Sequence, residues 1–361
     1  MKKGILLVNL GSPDSPTPKD VKKYLGEFLM DERVIDIPLI ARTALVKGII
    51  LKTRPKQSAA AYKKIWWEEG SPLIVLSERL QKKIQKQTSL PVALAMRYGS
   101  MTIKKGLQEL VDKGVDEVLL FPLYPQFAMA TTETITVLAE ELRQQHFPNL
   151  KIESVPAFYN KPDYIEVLSD AIKRHLESKN YEHLLFSYHG VPERHIRKSD
   201  VTKSHCKIDG SCCVTPSKAH EFCYRHQCLE VTRLVAEKLQ LKEGSYSTSF
   251  QSRLGFDPWL QPYTDRTIER LGKKGIKSMA IVTPAFVSDC LETLEEIAME
   301  GQEIFHEMGG KDFTTVPCLN DDDTWVSLLS KWINEWASVE TSMLKTPLTN
   351  GGMIKDVPSN R

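Results

Sequence analysis

Short apolar runs alternate with amphipathic segments along most of the chain. Eight of these runs have the length and the β-branched or leucine-rich composition of buried strands, and they fall into two sets of four. The predicted strands are residues 4–9, 91–95, 117–121, 151–155, 183–188, 246–251, 277–282 and 313–317. The segments between them have helical spacing. This alternation is typical of βα units, so we predict an α/β protein with two similar doubly wound lobes, each a four-stranded parallel sheet flanked by helices.

The two predicted lobes divide the chain near residue 156. We assign residues 1–156 to an N-terminal lobe and 157–340 to a C-terminal lobe, with an insertion at about residues 199–228. Ligands of such architectures bind at the carboxyl ends of the strands, so we expect the active site in the cleft between the lobes. Residues 341–361 are polar and lack periodicity, which predicts a mobile tail.

Composition narrows the class of protein further. The 361 residues are 41% hydrophobic and 26% charged with a formal net charge of +2, which is typical of a soluble enzyme and gives no indication of a nucleic-acid partner. The apolar run near the N-terminus ends in turn residues and is too short for a signal peptide. We therefore expect a cytoplasmic protein, and the sequence predicts no particular oligomeric state.

One segment has an unusual charge pattern. Residues 37–67 contain seven Lys or Arg and no Asp or Glu, interleaved with Leu, Ile, Val and Trp. A solvated helix face would explain this pattern. A basic and apolar surface for an amphipathic anion, or for an anionic membrane, would explain it equally well.

A histidine ends one of the predicted strands. The run LLFSYHGVPER, residues 184–194, stops at His189 and turns on Gly190 and Pro192. The end of a buried parallel strand lies at the ligand-binding edge of the sheet. His189 is therefore either a turn cap or a proton acceptor or metal ligand in a site.

Acidic residues recur along a later segment that follows the predicted strand 277–282. They stand at steps of three and four, while apolar residues mark another face of the predicted helix. The acidic positions are Asp289, Glu292, Glu296, Glu300 and Glu303. The row is either a solvated face or a path for divalent cations or protons, and a histidine opposite Glu292 would make a pair for metal delivery and proton abstraction.

Five of the seven cysteines fall within residues 206–228. They are Cys206, Cys212, Cys213, Cys223 and Cys228. A disulfide framework is not expected in a chain of this size and class. Structural zinc is one interpretation, with His205, His220 and His226 as further ligands, and an iron–sulfur cluster is the other. Because Cys212 and Cys213 are adjacent, we expect their side chains to diverge and only one of them to face inward.

These motifs together resemble the ferrochelatases, which insert ferrous iron into a porphyrin to form heme. Blocks typical of that family occur in family order across residues 1–336. They include GILLVNLGSPDSPTPKDVKKYL, YKKIWWEEGSPL, MRYGSM, PLYPQFAMATTE, SYHGVPERH, SFQSRLGFDPWLQP and FVSDCLETLEEIAMEG. The resemblance implies a lyase with the two-lobed chelatase fold, a porphyrin substrate, a heme product and Fe²⁺ as the metal substrate.

The resemblance also implies roles for individual residues. His189 and Glu292 match the catalytic pair that handles Fe²⁺, and Glu296 and Glu300 match its proton or metal relay. The porphyrin-pocket positions are matched by Arg97, Tyr98, Tyr124, Arg253, Trp259 and Phe286. The basic segment 37–67 matches the lip of the pocket, which in some members rests on the membrane, and this implies peripheral contact with the inner membrane face.

The chain departs from the common family pattern at two places. Cys290 stands where many relatives have a histidine in an S-D-H-I-E-T block. The cysteine-rich insertion replaces a short G-D-P-Y segment and resembles the bacterial subgroup with an internal [2Fe-2S] cluster. On that resemblance we expect the ligands Cys206, Cys223 and Cys228 with either Cys212 or Cys213, structural zinc being the alternative.

Protoporphyrin IX is the favoured substrate, because the cysteine insertion resembles that of Gram-negative family members. Coproporphyrin III is the alternative substrate. A cobalt chelatase acting on a corrin precursor is the nearest rival enzyme. A heme- or metal-binding protein of the same fold without catalytic activity is the rival of another class.

Overall fold

Two sheets organise the protein, and each contains four parallel strands, as the alternating pattern predicts. The computed structural model describes residues 2–255 and 257–338, and the backbone of Thr346–Pro347. The strands of the first sheet are β1 (Lys3–Gly11), β2 (Val92–Tyr98), β3 (Glu117–Pro122) and β4 (Lys151–Ser154). Their order is β2-β1-β3-β4, and all three pairings are parallel.

The second sheet repeats this arrangement. Its strands are β5 (His183–His189), β6 (Tyr246–Gln251), β7 (Ser278–Val282) and β8 (Asp312–Thr315). Their order is β6-β5-β7-β8, and every pairing is again parallel. In each sheet the first strand in sequence therefore lies between the second and the third. All eight predicted strands are present, with ends shifted by three residues or fewer, and the predicted fold of two α/β lobes is confirmed.

Helices follow the strands as the amphipathic segments predict. They are α1 (Pro18–Leu29), α2 (Leu39–Thr43), α3 (Leu51–Ile65), α4 (Pro72–Gln85), α5 (Ile103–Asp112), α6 (Thr134–His146), α7 (Pro162–Leu176), α8 (Glu193–Lys198), α9 (Ser211–Val214), α10 (Tyr224–Lys238), α11 (Thr264–Lys273), α12 (Gln302–Glu307) and α13 (Asp323–Ser338). Three segments are π-helical, with the wider i to i+5 bonding, and they are Ala44–Ile50, Met129–Glu133 and Glu292–Gly301. Lys218–Glu221 form a 3₁₀ turn. Among the described helices none combines the length and apolar character needed to cross a bilayer.

The chain divides into two structural units. The first comprises Met1–Leu123, Met129–Pro156 and the chain from Asp321, and the second comprises Tyr124–Ala128 and Ala157–Asn320. The sequence assigned residues up to 340 to the C-terminal lobe, whereas α13 packs on the first unit. The difference is explained by three tryptophans of α13 that are buried, namely Trp325, Trp332 and Trp336.

Helix α13 contacts strands of the first sheet. The ring of Trp332 stacks on Phe121 of β3 with centroids 6.4 Å apart. Trp336 is fully buried and its indole N–H donates to the Glu153 carboxylate of β4 at 2.7 Å. Thr346–Pro347 add a two-residue antiparallel strand beside β4. The remainder of the predicted tail, residues 341–345 and 348–361, lies outside the described residues.

The second unit packs the segment after β7 against its sheet. Apolar side chains of β5, β7, α11, the π-helical segment and α12 form one buried cluster, Leu185, Ile268, Leu271, Met279, Ile281, Ile297 and Phe305. Because Ile297 lies in this cluster, one side of Glu292–Gly301 is held on the sheet. The acidic residues of that segment are thereby fixed relative to the end of β5.

Candidate active site and cysteine-rich segment

His189 ends the central strand of the second sheet, as the sequence predicts. Its Nδ1 lies 2.6 Å from the carbonyl oxygen of Gly190. Because a carbonyl can only accept, Nδ1 carries the proton in this contact and a neutral ring has its lone pair on Nε2. Tyr224 donates its hydroxyl to the His189 carbonyl at 2.8 Å, so α10 also holds the strand end in place.

The turn after His189 requires a glycine. The Gly190 N–H donates to the carbonyl of Gln251, at the end of β6, at 2.6 Å. A Cβ at position 190 would lie 2.7 Å from the Ser252 carbonyl oxygen and 3.4 Å from the ring of Trp259. Both contacts are closer than, or at the edge of, what a side chain tolerates, and the first is with backbone. Gly190 therefore brings the ends of β5 and β6 together.

Glu296 is a half-buried carboxylate beside this turn. Ser252, which adopts a left-handed φ of +61°, donates its hydroxyl to Glu296 at 2.5 Å. Burial raises the pKa of Glu296, and the neighbouring charge of Glu292 raises it further, although the Ser252 hydrogen bond and the charge of His189 oppose the shift. The structure thus brings His189, Glu292 and Glu296 into one electrostatic group.

Glu292 begins the π-helical segment. Its backbone carbonyl accepts a hydrogen bond from the Gln251 amide at 3.2 Å. Cys290 precedes it in a buried position, where its thiol donates to the Glu292 carboxylate, and burial followed by the charge of Glu292 raises the pKa of the thiol well above its usual range. The residue that stands in place of the family histidine is therefore a neutral hydrogen-bond donor to Glu292.

The rest of the predicted acidic row divides into two kinds of residue. Asp289 is buried and accepts hydrogen bonds from Thr293 at 2.9 Å and from the Asn320 amide at 2.6 Å. It stabilises the start of the segment and does not face solvent with the others. Glu300 and Glu303 are exposed. The sequence predicts that the acidic row lies on a regular α-helix. That prediction is wrong, because Glu292–Gly301 are π-helical.

Four of the six residues predicted for the pocket, Tyr124, Arg253, Trp259 and Phe286, lie in the second unit. Phe286 meets His189 edge to face, with ring centroids 6.3 Å apart. Trp259 lies beside Gly190, and its indole N–H donates to the Leu254 carbonyl at 2.9 Å. Tyr124 is buried in the short piece of chain that belongs to the second unit. Arg253 makes a two-pronged ion pair with Asp265 at 3.1 and 2.9 Å.

Arg97 and Tyr98 lie at the end of β2 in the first unit. Arg97 forms an ion pair with Asp31 and donates to the Thr134 hydroxyl at 2.7 Å. Tyr98 and Thr134 also donate to Asp31, at 2.9 and 2.5 Å. Burial raises the pKa of Asp31, but the Thr134 hydrogen bond, the Arg33 backbone N–H and the Arg97 charge outweigh it, so the net pKa is lowered. Arg97 is thus committed to a buried carboxylate.

The basic segment 37–67 forms α2, a π-helical segment and α3. Its apolar side chains Leu39, Ile40 and Ile49 are 62%, 87% and 59% exposed. Most of its lysines and Arg54 are also exposed, whereas Arg42 is buried and donates to the carbonyls of Ile35 and Ile37. The segment therefore presents apolar and cationic side chains to solvent together.

Four of the cysteines in the insertion influence one another electrostatically. Cys206 and Cys212 are hydrogen-bonded to each other, and Cys213 is close to both Cys212 and Cys223. Burial raises the pKa of Cys213 to about 12 and that of Cys223 to about 11. These four thiols come from a loop, from α9 and from the residue that precedes α10.

Backbone N–H groups point at the sulfurs of Cys206, Cys212 and Cys223. Lys207 donates its N–H to Cys212 Sγ at 3.5 Å, and the Ile208 N–H faces the same sulfur. Burial raises the pKa of Cys212, but these contacts outweigh it, so the net pKa is lowered. Cys223 is the N-cap of α10, where the N–H groups of His226 and Arg225 face its sulfur. Such contacts stabilise a thiolate.

Cys228 also interacts electrostatically with Cys223 and Cys213, but its immediate surroundings differ. It is fully buried within α10, beside the hydroxyl of Tyr224, and burial raises the pKa of its thiol well above the usual range. Among residues 2–255 and 257–338, no three His, Cys, Asp or Glu side chains converge as ligands of a single metal ion.

Several residues of these sites escaped the sequence prediction. Gln251 and Ser252 stand at the end of β6, at the same edge of the sheet as His189, so the strand-end argument could have identified them. Asp31 and Thr134 give no comparable signal, because their partnership with Arg97 depends on contacts that are distant in sequence.

Comparisons with known proteins agree with the sequence and the fold. The ferrochelatase family model matches residues 2–337. A ferrochelatase of Pseudomonas fluorescens strain Pf0-1 is 47% identical over 328 residues, which cover 90% of this chain and 96% of that protein. A ferrochelatase of Opitutus terrae is 46% identical over 337 residues, covering 92% and 97% of the two chains.

Solved structures show the same fold at low sequence identity. SirB from Bacillus subtilis with Fe³⁺ is 14% identical, with a TM-score of 0.54 over 96% of this chain and 99% of that one. The sirohydrochlorin chelatase SirB of B. subtilis subspecies spizizenii in complex with cobalt gives a TM-score of 0.55 at 10% identity, with the same coverage. With the family model matched over nearly its whole described length, the chain belongs to the ferrochelatase family.

Proposed function

We propose that this chain inserts Fe²⁺ into protoporphyrin IX to form heme, with His189 and Glu292 as the catalytic pair. The observation that carries the proposal is the half-buried group of His189, Glu292 and Glu296 at the end of β5. There an imidazole whose Nδ1 is committed to the Gly190 carbonyl lies close to a carboxylate pair in which the pKa of Glu296 is raised. Perturbed carboxyl groups beside a histidine are typical of acid–base sites.

Metallation of a porphyrin requires the loss of two pyrrole protons and the delivery of a dehydrated iron ion. Nε2 of His189 is the atom suited to accept a proton, because Nδ1 already donates to Gly190. Glu292 and Glu296 would then take the proton onward or hold Fe²⁺ before transfer, and the exposed Glu300 would exchange it with solvent. The metal in this scheme is a substrate, so no change of oxidation state is needed.

Aromatic side chains near His189 suit the macrocycle. Phe286 meets the His189 ring edge to face, and Trp259 lies beside Gly190. Holding the ring bent toward the geometry of metal insertion would favour the transition state over the flat substrate. Arg97 and Arg253 are already paired with Asp31 and Asp265, so neither guanidinium could bind a propionate without giving up an ion pair.

The cysteine-rich segment suits a [2Fe-2S] cluster, and we propose Cys206, Cys212, Cys213 and Cys223 as its ligands. Soft thiolates favour iron–sulfur chemistry, and such a cluster takes four of them. Cys228 is left out because it lies inside α10 with its thiol buried against Tyr224. This set differs from the sequence expectation, which included Cys228. When bound, the cluster would supply a covalent link between the loop, α9 and α10, and a redox-sensitive group.

We further propose peripheral membrane contact through α2 and the π-helical segment that follows it. Leu39, Ile40 and Ile49 are exposed next to Lys47 and Lys52. Apolar side chains flanked by cations bind anionic bilayers. Replacing Ile40 with Glu should reduce sedimentation with vesicles that contain phosphatidylglycerol, whereas Lys311→Glu, an exposed position in the second unit, should not. Equal binding by the two variants would contradict the proposal.

An anaerobic metallation assay tests the function. Purified protein whose iron, acid-labile sulfide and zinc have been measured is given Fe²⁺ with protoporphyrin IX or with coproporphyrin III, and the product is followed spectroscopically. We expect multiple turnovers, faster with protoporphyrin IX. Faster turnover of coproporphyrin III would replace the substrate, and stoichiometric binding without turnover would favour a heme carrier. Zinc without sulfide would overturn the cluster.

A further inference from the structure

Three histidines converge on the backbone of the adjacent cysteines Cys212 and Cys213. His205 Nε2 and His220 Nε2 lie 2.8 and 2.9 Å from the same Cys212 carbonyl oxygen. His226 Nδ1 lies 2.7 Å from the Cys213 carbonyl oxygen. A carbonyl only accepts, so each imidazole donates an N–H in these contacts.

The convergence satisfies groups that a short helix leaves unpaired. Helix α9 has only four residues, Ser211–Val214. Such a short helix supplies few N–H donors for the carbonyls of Cys212 and Cys213. The three donors come from different elements, namely the loop before α9, the 3₁₀ turn and α10. Together they connect the chain before α9 and the chain after it to the adjacent carbonyls of Cys212 and Cys213.

The histidines also support one another. The rings of His220 and His226 stack with centroids 3.6 Å apart and planes 10° from parallel, and His205 meets His220 edge to face at 5.3 Å. A stacked ring has little freedom to rotate, so the direction of each N–H is fixed. The contact nitrogens are occupied by carbonyls, which removes those atoms as zinc ligands.

We propose that His205, His220 and His226 form a clamp of positioning residues that orients Cys212 and Cys213 so that both thiols reach one metal centre. The inference rests on the proposed cluster and deepens it. It also answers the sequence expectation that adjacent cysteines diverge, because a held carbonyl at each residue fixes the backbone turn between them. Hydrogen bonds outside the ligand set commonly control metal affinity by about 10–100-fold.

Substitutions that separate stacking from hydrogen bonding test the clamp. His220→Phe keeps an aromatic ring but removes the donor, whereas His220→Gln restores an N–H with similar reach. His306→Phe, at an exposed position on α12, is the matched control. The readouts are the rate of sulfide release to a chelator and the visible absorption and circular dichroism of the purified full-length protein.

We expect His220→Phe to release sulfide about 10-fold faster with an altered spectrum, and His220→Gln and His306→Phe to stay within about twofold of the parent protein. If His220→Phe retains the parent's release rate and spectrum, the clamp is wrong. A second measurement, alkylation of individual cysteines in the metal-stripped full-length protein, does not require the cluster.

In that measurement the clamp predicts that His220→Phe raises labelling of Cys212 and Cys213 relative to Cys206. Unchanged relative labelling would overturn it. Should the parent protein contain neither iron nor sulfide, the cluster fails, and the clamp is then decided by the labelling alone. The two failures are therefore distinguishable.

Discussion

Each unit holds a partly buried carboxylate near the end of a strand, and the two carboxylates have opposite pKa shifts. Asp31, beside β2, has a lowered pKa because Arg97, Thr134 and Tyr98 surround it. Glu296, beside β6, has a raised pKa because burial and Glu292 outweigh the one hydroxyl of Ser252 and the charge of His189. The two strands, β2 and β6, occupy the same place in the order of their sheets.

The two carboxylates differ in the basic side chain beside them, which is Arg97 for Asp31 and His189 for Glu296. A guanidinium is a fixed charge, so Asp31 stays ionised and holds Arg97 and Tyr98 in place. An imidazole can accept or donate a proton, so on the proposed function Glu296 has a partner suited to proton transfer and not a fixed cation. Similar sheets thus support a stabilising ion pair in the first unit and, on the proposed function, a proton-transfer site in the second.

The largest effect is expected from His189→Ala, which removes the imidazole beside Glu296. We predict a fall in kcat of about 10²–10⁴-fold, the usual contribution of a positioned acid–base group. Thermal unfolding should change little, because the ring is only half-buried and its hydrogen bond is local. His195→Ala, a buried histidine in α8, gives the opposite pattern, a lower Tm with smaller loss of kcat.

Asp31→Asn removes the fixed partner of Arg97. We expect unfolding free energy to fall by about 2–3 kcal/mol, somewhat below the ~3–5 kcal/mol typical of a fully buried pair, because the Arg97 side chain is 17% exposed. Urea unfolding measures the change. Glu109→Gln, which breaks the exposed pair with Lys113, should cost no more than about 0.5 kcal/mol. Equal losses in the two variants would contradict the account of Asp31.

The same pair predicts a pH dependence. Since the folded pKa of Asp31 is lowered, its contribution to stability is complete above its ordinary value of 3.8 and is lost as pH falls through the lower folded pKa. The stability difference between the parent and Asp31→Asn should therefore be constant near neutral pH and shrink in acid. A difference that grows in acid would reverse the sign of the shift.

Glu296→Gln should have a smaller effect on kcat than His189→Ala. In contrast to Asp31→Asn, it should lower activity and not stability. The amide can still accept the Ser252 hydrogen bond, so stability should be unchanged or slightly higher. We expect kcat to fall by about 10-fold, the low end for an acid–base group, because the carboxylate beside His189 is gone. Loss of stability without loss of kcat would make Glu296 a structural residue like Asp31.

The sequence predicts the grouping of residues at the end of β5 better than the contacts around Arg97. His189, Glu292 and Glu296 follow from strand ends and from a periodic acidic row, which are local patterns. The eight strands follow from local apolar runs in the same way. The resemblance to ferrochelatases, which is confirmed, fixed the family from the order of motifs.

Other features depend on contacts between distant residues. The packing of α13 on the first unit is decided by Trp332 and Trp336, whose partners lie on β3 and β4. The π-helical geometry of Glu292–Gly301 gives no periodic signal distinct from an α-helix. The roles of Asp289 and Arg97 could not be predicted, because Asn320 and Asp31 are far from them in sequence.

The most direct test of the contrast is a titration of the two carboxyl groups themselves. Infrared difference spectra of the parent protein minus Asp31→Asn, and minus Glu296→Gln, isolate each carboxyl band as pH is varied. We predict that Asp31 titrates below its ordinary value of 3.8 and that Glu296 titrates above 4.5. A Glu296 carboxyl that titrates at or below 4.5 would contradict the proposal that the second unit holds a proton-transfer site.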